Sequence, residues 1–409
     1  MADCYTNGLM PLAEGLRVLL DKVSSIMDHE QVSLSQAAGR VVAEAISCPI
    51  NVPPANNSAM DGYGARSADC IGEVTLTCIG QALAGQPYSG TVAAGQCVWI
   101  MTGAVIPAGV DAVIMQEDVT REEQQVSLSA AVKQGQNIRL AGEDLQAGQL
   151  LFEPGHRIKP ADIGLLASLG VATVAVKRKP KVALLSNGDE LVEPGQPLAA
   201  GQIYESNRYA LAAMLKRLSL EVDEFGIIAD EPEAIREAFT QASQYDAVIS
   251  SGGVSVGDAD YIKDILSEMG QIDFWKLAIK PGKPFAYGRL GKAHYFGLPG
   301  NPVSAMVTCH QLAVPALRQL AGEFAEPPLT VIATTTEAIR KRPGRLDFQR
   351  GIVQRGDDGR LVVSTTGRQG SGIMSSISNA NCFLVLELER GNIDAGEQVE
   401  VLLFDALLG

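Results

Sequence analysis

The sequence predicts a multidomain α/β plus β protein whose centre is a doubly wound α/β domain. Three observations predict it. At 409 residues the chain is longer than one hydrophobic core organises, so two to four domains are expected. Between 180 and 325, apolar strand-like runs alternate with helix-spaced stretches, the pattern of a mostly parallel sheet covered on both faces. Ahead of that region and again behind it, the chain breaks into short β-like runs separated by glycine and turn residues.

The amino-terminal region reads as helical. "PLAEGLRVLLDKV" places Leu12, Leu16, Leu19, Leu20 and Val23 on one face, and a second helix is expected over "SLSQAAGRVVAEAI". The prolines of "CPINVPPANN" end it. From about 50 to 147 the runs "EVTLTCIG", "QCVWIMTG", "DAVIMQED" and "QQVSLSA" predict a small β domain. "KPADIGLLASLG" then returns to helical spacing and could rejoin the first helices, which would make the β domain an insertion.

In the central region "KVALLS", "EVDEFGII", "DAVISSG", "IDFWKLAI" and "KAHYFGL" read as strands. The helices between and after them are "NRYALAAMLKRL", "EPEAIREAFTQAS", "DADYIKDILSEMG" and "NPVSAMVTCHQLAVPALRQLAG". After "AEPPLT" five further β runs, with turns such as "RGDDGR" between them, suggest a small barrel or sandwich.

Composition excludes several function classes. Thirty-three basic against 47 acidic residues give a net charge of −14, which repels nucleic acid. The segment 327–409 is near balance, with 9 Lys/Arg and 10 Asp/Glu, so the acidity lies upstream of it. No apolar stretch is long enough to span a bilayer, and "MADCYTNGLMPLAEGL" has neither the basic start nor the apolar core of a signal peptide. A cytoplasmic protein that contacts no membrane is expected. The seven cysteines are scattered with no CxxC, and four histidines form no HExxH, so reduced thiols without a zinc or iron–sulfur site are expected. An anion bound by so acidic a chain must be held by a few lysines, backbone N–H groups or a cation.

"SSGGVSVGDADY" (250–261) stands where a strand hands over to a helix, and Gly252 and Gly253 would let backbone approach a ligand. It matches neither GxGxxG nor GxxxxGK[ST], so read alone it stays open between a tight turn and an anion site. "LLSNGDEL" (184–191) and "GLPGNPVSA" (297–305) end sister strands, and three such loops at one sheet edge suggest a single phosphate-sized crevice. In the last of them Asn301 can cap the helix and Pro302 can fill its first position. "WKLAIKPGKPFAYG" sets Lys276, Lys280 and Lys283 together without an acid, a local cationic island. Asp189, Glu190, Asp230, Asp258 and Asp260 flank these loops, either as first-turn acids or as ligands of a hard cation. In the β region "NNSAMDGYGAR" with Asp61, "IMTGAVIPAG" with Thr102, and "NIRLAGEDL" with Arg139, Glu143 and Asp144 each set a polar residue beside glycine, as a turn also would.

With these stretches in order, the sequence resembles the molybdopterin molybdenumtransferase family, which includes bacterial enzymes and the carboxy-terminal domain of gephyrin. The matching stretches are "NNSAMDGYGAR", "IMTGA", "NIRLAGEDL", "NGDEL", "ISSGGVSVGDADY", "KLAIKPGKPFA", "GLPGNPVS" and "RPGRLDFQRG". The resemblance implies four domains: a split helical dimerisation domain (1–48 and 148–179), an inserted β domain (49–147), a molybdopterin-binding α/β domain (180–326) and a carboxy-terminal β barrel (327–409). It implies a homodimer whose cleft lies between the α/β domain of one subunit and the inserted domain of the other. The implied reaction inserts molybdenum from molybdate into adenylylated molybdopterin, releasing AMP with help from Mg²⁺.

Carried over by position, Asp61, Thr102, Asp144, Glu190 and Asp260 would be catalytic, and Glu190, Asp230 and Asp260 would face the metal. Arg139, Gly252, Gly253, Ser255, Lys276, Lys280, Pro299 and Pro302 would bind substrate. A molybdopterin adenylyltransferase would supply the substrate, and molybdoenzyme maturation proteins would receive the product. The chain departs from the family at Asn187, where Thr is usual, and at Leu140 and Ala141, where basic residues often follow the arginine. A scaffold of gephyrin type is the reading from another class, but the retained acids and the missing long linker count against it. The adenylyltransferase of the same pathway needs only the α/β unit, which counts against that reading too.

Overall fold

The computed structural model describes residues 8–252, 261–324, 326–405 and 407–408. It divides into two compact units, one of Glu44–Glu153 with Pro160–Thr173, the other of Met1–Ala43, Pro154–Lys159 and Val174–Gly409.

In the first unit a six-stranded sheet runs in the order Ala112–Met115, Gly62–Ala65, Gln96–Ile100, Val74–Ala82, Gln125–Leu128, Val119–Glu122. Strands that alternate, such as Gln125–Leu128 with Val126 and Leu128 buried, put one face on a core of Leu76, Cys97 and Ile114. Gly62 is obligatory here, since a Cβ would lie 1.8 Å from the Ile114 carbonyl oxygen. A separate two-residue pairing joins Asn57–Ser58 to Ile138–Arg139.

The second unit holds the α/β sheet, in the order Glu221–Ile228, Lys181–Asn187, Ala247–Ser251, Ala293–Leu298, Pro284–Leu290, Gly270–Lys276. The first four strands pair in parallel, and the last two pairings are antiparallel, so Pro284–Leu290 alone runs against the rest of the sheet. Lys181–Asn187 is buried from Val182 onward, as a strand covered on both faces must be, which explains its unbroken apolar run. Leu211 and Leu215 of the helix Asn207–Lys216 pack on one face with Val303 and Leu317. Ile235 and Phe239 of Pro232–Ala242, with Ile262 and Leu266 of Tyr261–Met269, pack on the other. The carboxy-terminal strands Leu346–Arg355, Leu361–Thr365, Thr330–Thr335, Gln398–Leu403 and Cys382–Leu386 close into a barrel, because the first also pairs with the last.

Two helices differ from expectation. Over "SLSQAAGRVVAEAI" only Leu34–Ala37 is helical. Gly39 takes a positive φ of 74°, and the buried, β-branched Val41 and Val42 bridge Arg157 and Val176 instead. The long run after "NP" is helical over Pro302–Thr308 and Val314–Leu320, with a π turn over Cys309–Ala313 between. Pro315 has no N–H to donate, and the wider turn before it absorbs that loss.

His294, buried in the strand Ala293–Leu298, shares a 2.9 Å hydrogen bond between Nδ1 and the Tyr287 hydroxyl. Burial, with Arg289 assisting and Asp246 opposing, pulls the ring down to about 4. The unfolded chain therefore takes up a proton near pH 6.5 that the folded His294 refuses until about 4. Its contribution to stability is complete above that upper value and lost as pH falls towards the lower one, by at most about 3 kcal/mol. The thermal unfolding midpoint should fall between about pH 7 and about pH 5 less steeply in His294→Gln than in the wild type, and parallel slopes would rule the assignment out.

Candidate active site

The first unit supplies a carboxylate held by two donors. Asp61 ends the turn before Gly62–Ala65, and Thr102 follows the strand Gln96–Ile100, which pairs with it in register Gly62–Ile100. The Thr102 backbone N–H and its hydroxyl both donate to Asp61 Oδ1, each at 2.7 Å. These two bonds, the backbone one larger, hold the solvent-accessible carboxyl below its usual range. Oδ2 accepts no hydrogen bond among the described residues.

Arg139 lies exposed at the end of its short strand, in register with Asn57. The turn after it is built by local capping: Leu140 N–H donates to Glu143 Oε2 at 2.9 Å, and Ala141 N–H to Asn56 Oδ1 at 2.8 Å. Glu143 thus serves the turn. Asp144 is exposed, its N–H bonded to the Val52 carbonyl at 3.0 Å. Among the described residues neither Arg139 nor Asp144 bonds the Asp61–Thr102 pair.

In the second unit the expected loops do gather at the carboxyl edge of the parallel strands. Register places Ser186 opposite Ser251, Ser251 opposite Leu298, and Asn187 opposite Ile228. Gly252 has φ +96°, donates its N–H to the Leu298 carbonyl at 3.1 Å, and comes so near Asn187 that a Cβ would lie 2.6 Å from its carbonyl oxygen. Asn207, at the start of its helix, fastens two of these loops by donating to Ser251 Oγ at 2.6 Å and to the Gly300 carbonyl at 2.7 Å.

The acids cluster at the same edge. Asp230 N–H donates to Asp189 Oδ1 at 3.1 Å, and the Asp230 carboxyl is raised by burial first, then by Asp189 and Glu190. Glu190 folds back over Gly188, whose φ of 146° and missing Cβ leave the room. A cation bound here would relieve this crowding of negative charge. The described residues form no ready-made three-ligand metal cluster, so the arrangement fits a hard cation that takes one or two carboxylates and draws its other oxygens from a ligand. Gly253, Ser255, Asp258 and Asp260 lie outside the described residues.

Of the lysines, Lys276 and Lys283 are exposed, whereas Lys280 Nζ pairs at 3.0 Å with Oδ2 of the buried Asp347. Pro299 is buried behind the loop, and Pro302 fills the first turn of its helix. Asn301 occupies the capping position by its backbone, but its side chain makes no capping bond, contrary to expectation. Asn187 is buried with neither amide atom bonded, and Thr308 Oγ1 is also unpaired.

Sequence reasoning missed Arg350. It is fully buried, bonding Ser376 Oγ at 3.0 Å and the carbonyls of Phe348 and Gly370, and burial lowers its guanidinium to about 10 despite nearby Asp347. Its signal was present in "RPGRLDFQRG", where a basic residue sits among strand residues expected to face a core.

Comparison with known proteins identifies the family and the fold. Residues 10–170 match the MoeA N-terminal region (domain I and II), 183–319 the probable molybdopterin binding domain, and 333–404 the MoeA C-terminal region (domain IV). The chain is 46% identical to the molybdopterin molybdenumtransferase of Haemophilus influenzae over 98% of its own length and all of that protein. It is 36% identical to that of a Nostoc species over 94% of its own length and 91% of that protein. It is 31% identical to Dictyostelium discoideum gephyrin over 97% of its own length and 62% of that protein. The crystal structure of the molybdopterin biosynthesis MoeA protein from Pyrococcus horikoshii superposes with a TM-score of 0.83 at 31% identity, covering 97% of this chain and all of that one. With its three family regions in order along one chain, this protein belongs to the molybdopterin molybdenumtransferase family, enzymes of molybdenum cofactor biosynthesis.

Proposed function

We propose that the enzyme inserts molybdenum from molybdate into adenylylated molybdopterin and releases AMP, acting as a cytoplasmic homodimer. The observation that supports this most directly is the convergence of Asp189, Glu190 and Asp230 with the Gly252 backbone at one sheet edge. The missing side chain at Gly252 would let a phosphate come close to this edge, and the exposed Lys276, with Lys280 where an anion displaces Asp347, would neutralise oxyanions. Exchange of one molybdate oxygen for the two dithiolene sulfurs releases one water, and hydrolysis of the phosphoanhydride consumes one, so the step balances without an oxidant. Glu190 and Asp230, with Asp260, would hold Mg²⁺; when bound, it would draw charge from the leaving phosphate. Asp61, held by Thr102, would act from the first unit with Arg139 and Asp144, while Gly253, Ser255, Pro299 and Pro302 would shape the substrate loops. Much of the rate would come from positioning molybdate against the sulfurs. The substrate would come from a molybdopterin adenylyltransferase, and the product would pass to molybdoenzyme maturation proteins.

The test is AMP release from adenylylated molybdopterin with and without molybdate, and with and without Mg²⁺. Release that requires both is expected. Tight substrate retention without any release would instead favour a carrier or scaffold.

A further inference from the structure

A strongly basic cavity lies in the second unit, with Lys280 in its lining. It has a volume of about 660 Å³ and is lined by Lys280, Arg340, Lys341, Arg342, Arg345 and Asp347. So dense a group of cations is out of keeping with a chain of net charge −14. Most arginines elsewhere are consumed by acids, as Arg178 is by Asp246 and Arg208 by Glu193 and Glu224. The guanidinium groups of Arg340, Arg342 and Arg345 make neither an ion pair nor a hydrogen bond with the described residues.

The backbone carrying them is nonetheless fixed. Lys341 is 4% exposed, and its Nζ donates to the carbonyls of Arg390, Leu388 and Arg342 at 2.8, 3.3 and 3.4 Å. Gly344 N–H donates to the Leu388 carbonyl and Leu346 N–H to the Ala278 carbonyl, both at 2.8 Å. Lys341 is therefore the anchor of the loop, and Asp347 already neutralises Lys280. What remains for a ligand is three arginines without partners on a pinned turn. Planar guanidinium groups match the oxygens of a tetrahedral oxyanion in pairs, and a preordered loop lowers the entropy lost on binding.

We infer that Arg340, Arg342 and Arg345 form an anion subsite for a tetrahedral oxyanion, free or at the end of a phosphorylated small molecule, which delivers it to Lys280. The inference deepens the proposed function and rests on it only for the role of Lys280. An oxyanion in this cavity would compete for Lys280 with Asp347, whose Oδ1 accepts no hydrogen bond. Attraction of this kind weakens with salt.

Equilibrium dialysis of the full chain against inorganic molybdate, and separately against AMP, tests it. The double variant Arg342→Gln/Arg345→Gln should weaken binding of at least one probe about tenfold or more, and that dependence should shrink at high salt. Loss of molybdate binding alone would identify a free oxyanion as the ligand, and loss of AMP binding alone a phosphate monoester. Arg345→Lys, which keeps the charge but not the paired donors, controls for folding and should retain part of the affinity, more than the double glutamine variant. Binding of both probes unchanged in a folded double variant would overturn the inference. That failure is separable from failure of the proposed reaction, which would show as absence of AMP release from the wild type.

Discussion

Asp61→Ala is expected to lower molybdate-dependent AMP release about 10²- to 10³-fold while leaving the unfolding midpoint unchanged. The side chain is solvent-accessible and its bonds run only to Thr102, so its loss opens no cavity. What it loses is a carboxylate kept ionised, with Oδ2 unengaged among the described residues. Asp61→Asn separates charge from position, since the amide oxygen can still accept both Thr102 donors. Activity retained in Asp61→Asn would show that the charge is dispensable and would sink the assignment. Thr102→Val removes one of the two donors. Asp61 would then lose part of what depresses it, so the acid limb of the pH–rate profile should move to higher pH. A profile that stays in place would mean that Asp61 does not set that limb.

Gly252→Ala is expected to cost about 3 kcal/mol of stability and to raise the KM for adenylylated molybdopterin sharply. Two penalties coincide there: a φ of +96°, which L side chains avoid, and a Cβ placed 2.6 Å from the Asn187 carbonyl oxygen. Since both partners are backbone at strand ends, relief requires moving the loop that would meet the phosphate. Gly195→Ala is the control, because Gly195 has φ +94° but open space around its Cβ position. A variant at Gly252 that behaves like the Gly195 control in both stability and KM would refute the close-packing argument.

Much of the fold was legible because its signals are local. Buried parallel strands need unbroken apolar runs, and the helices of the α/β unit carry their apolar residues at a period of about 3.6. The barrel strands are short β runs set off by turns, and glycine marks loops where backbone turns with positive φ. Expectation failed where distant parts of the chain decide. Val41 and Val42 joined residues more than a hundred positions away instead of continuing a helix, and Pro315 reshaped the turn before it.

The candidate site divides in the same way. The sequence by itself determined the α/β alternation and the Gly-rich loops, because spacing and composition are local properties, while Asp61, Thr102, Glu190, Asp230 and the lysines stood out as a set through the family resemblance of the ordered motifs. Only the tertiary structure decided which of them meet. Thr102 reaches Asp61 across 41 residues, Lys280 reaches Asp347 across 67, and the three arginines of the basic cavity are left without partners. A side chain's charge state and availability depend on the donors and burial that long-range packing brings to it, and no reading of nearest neighbours along the chain contains them.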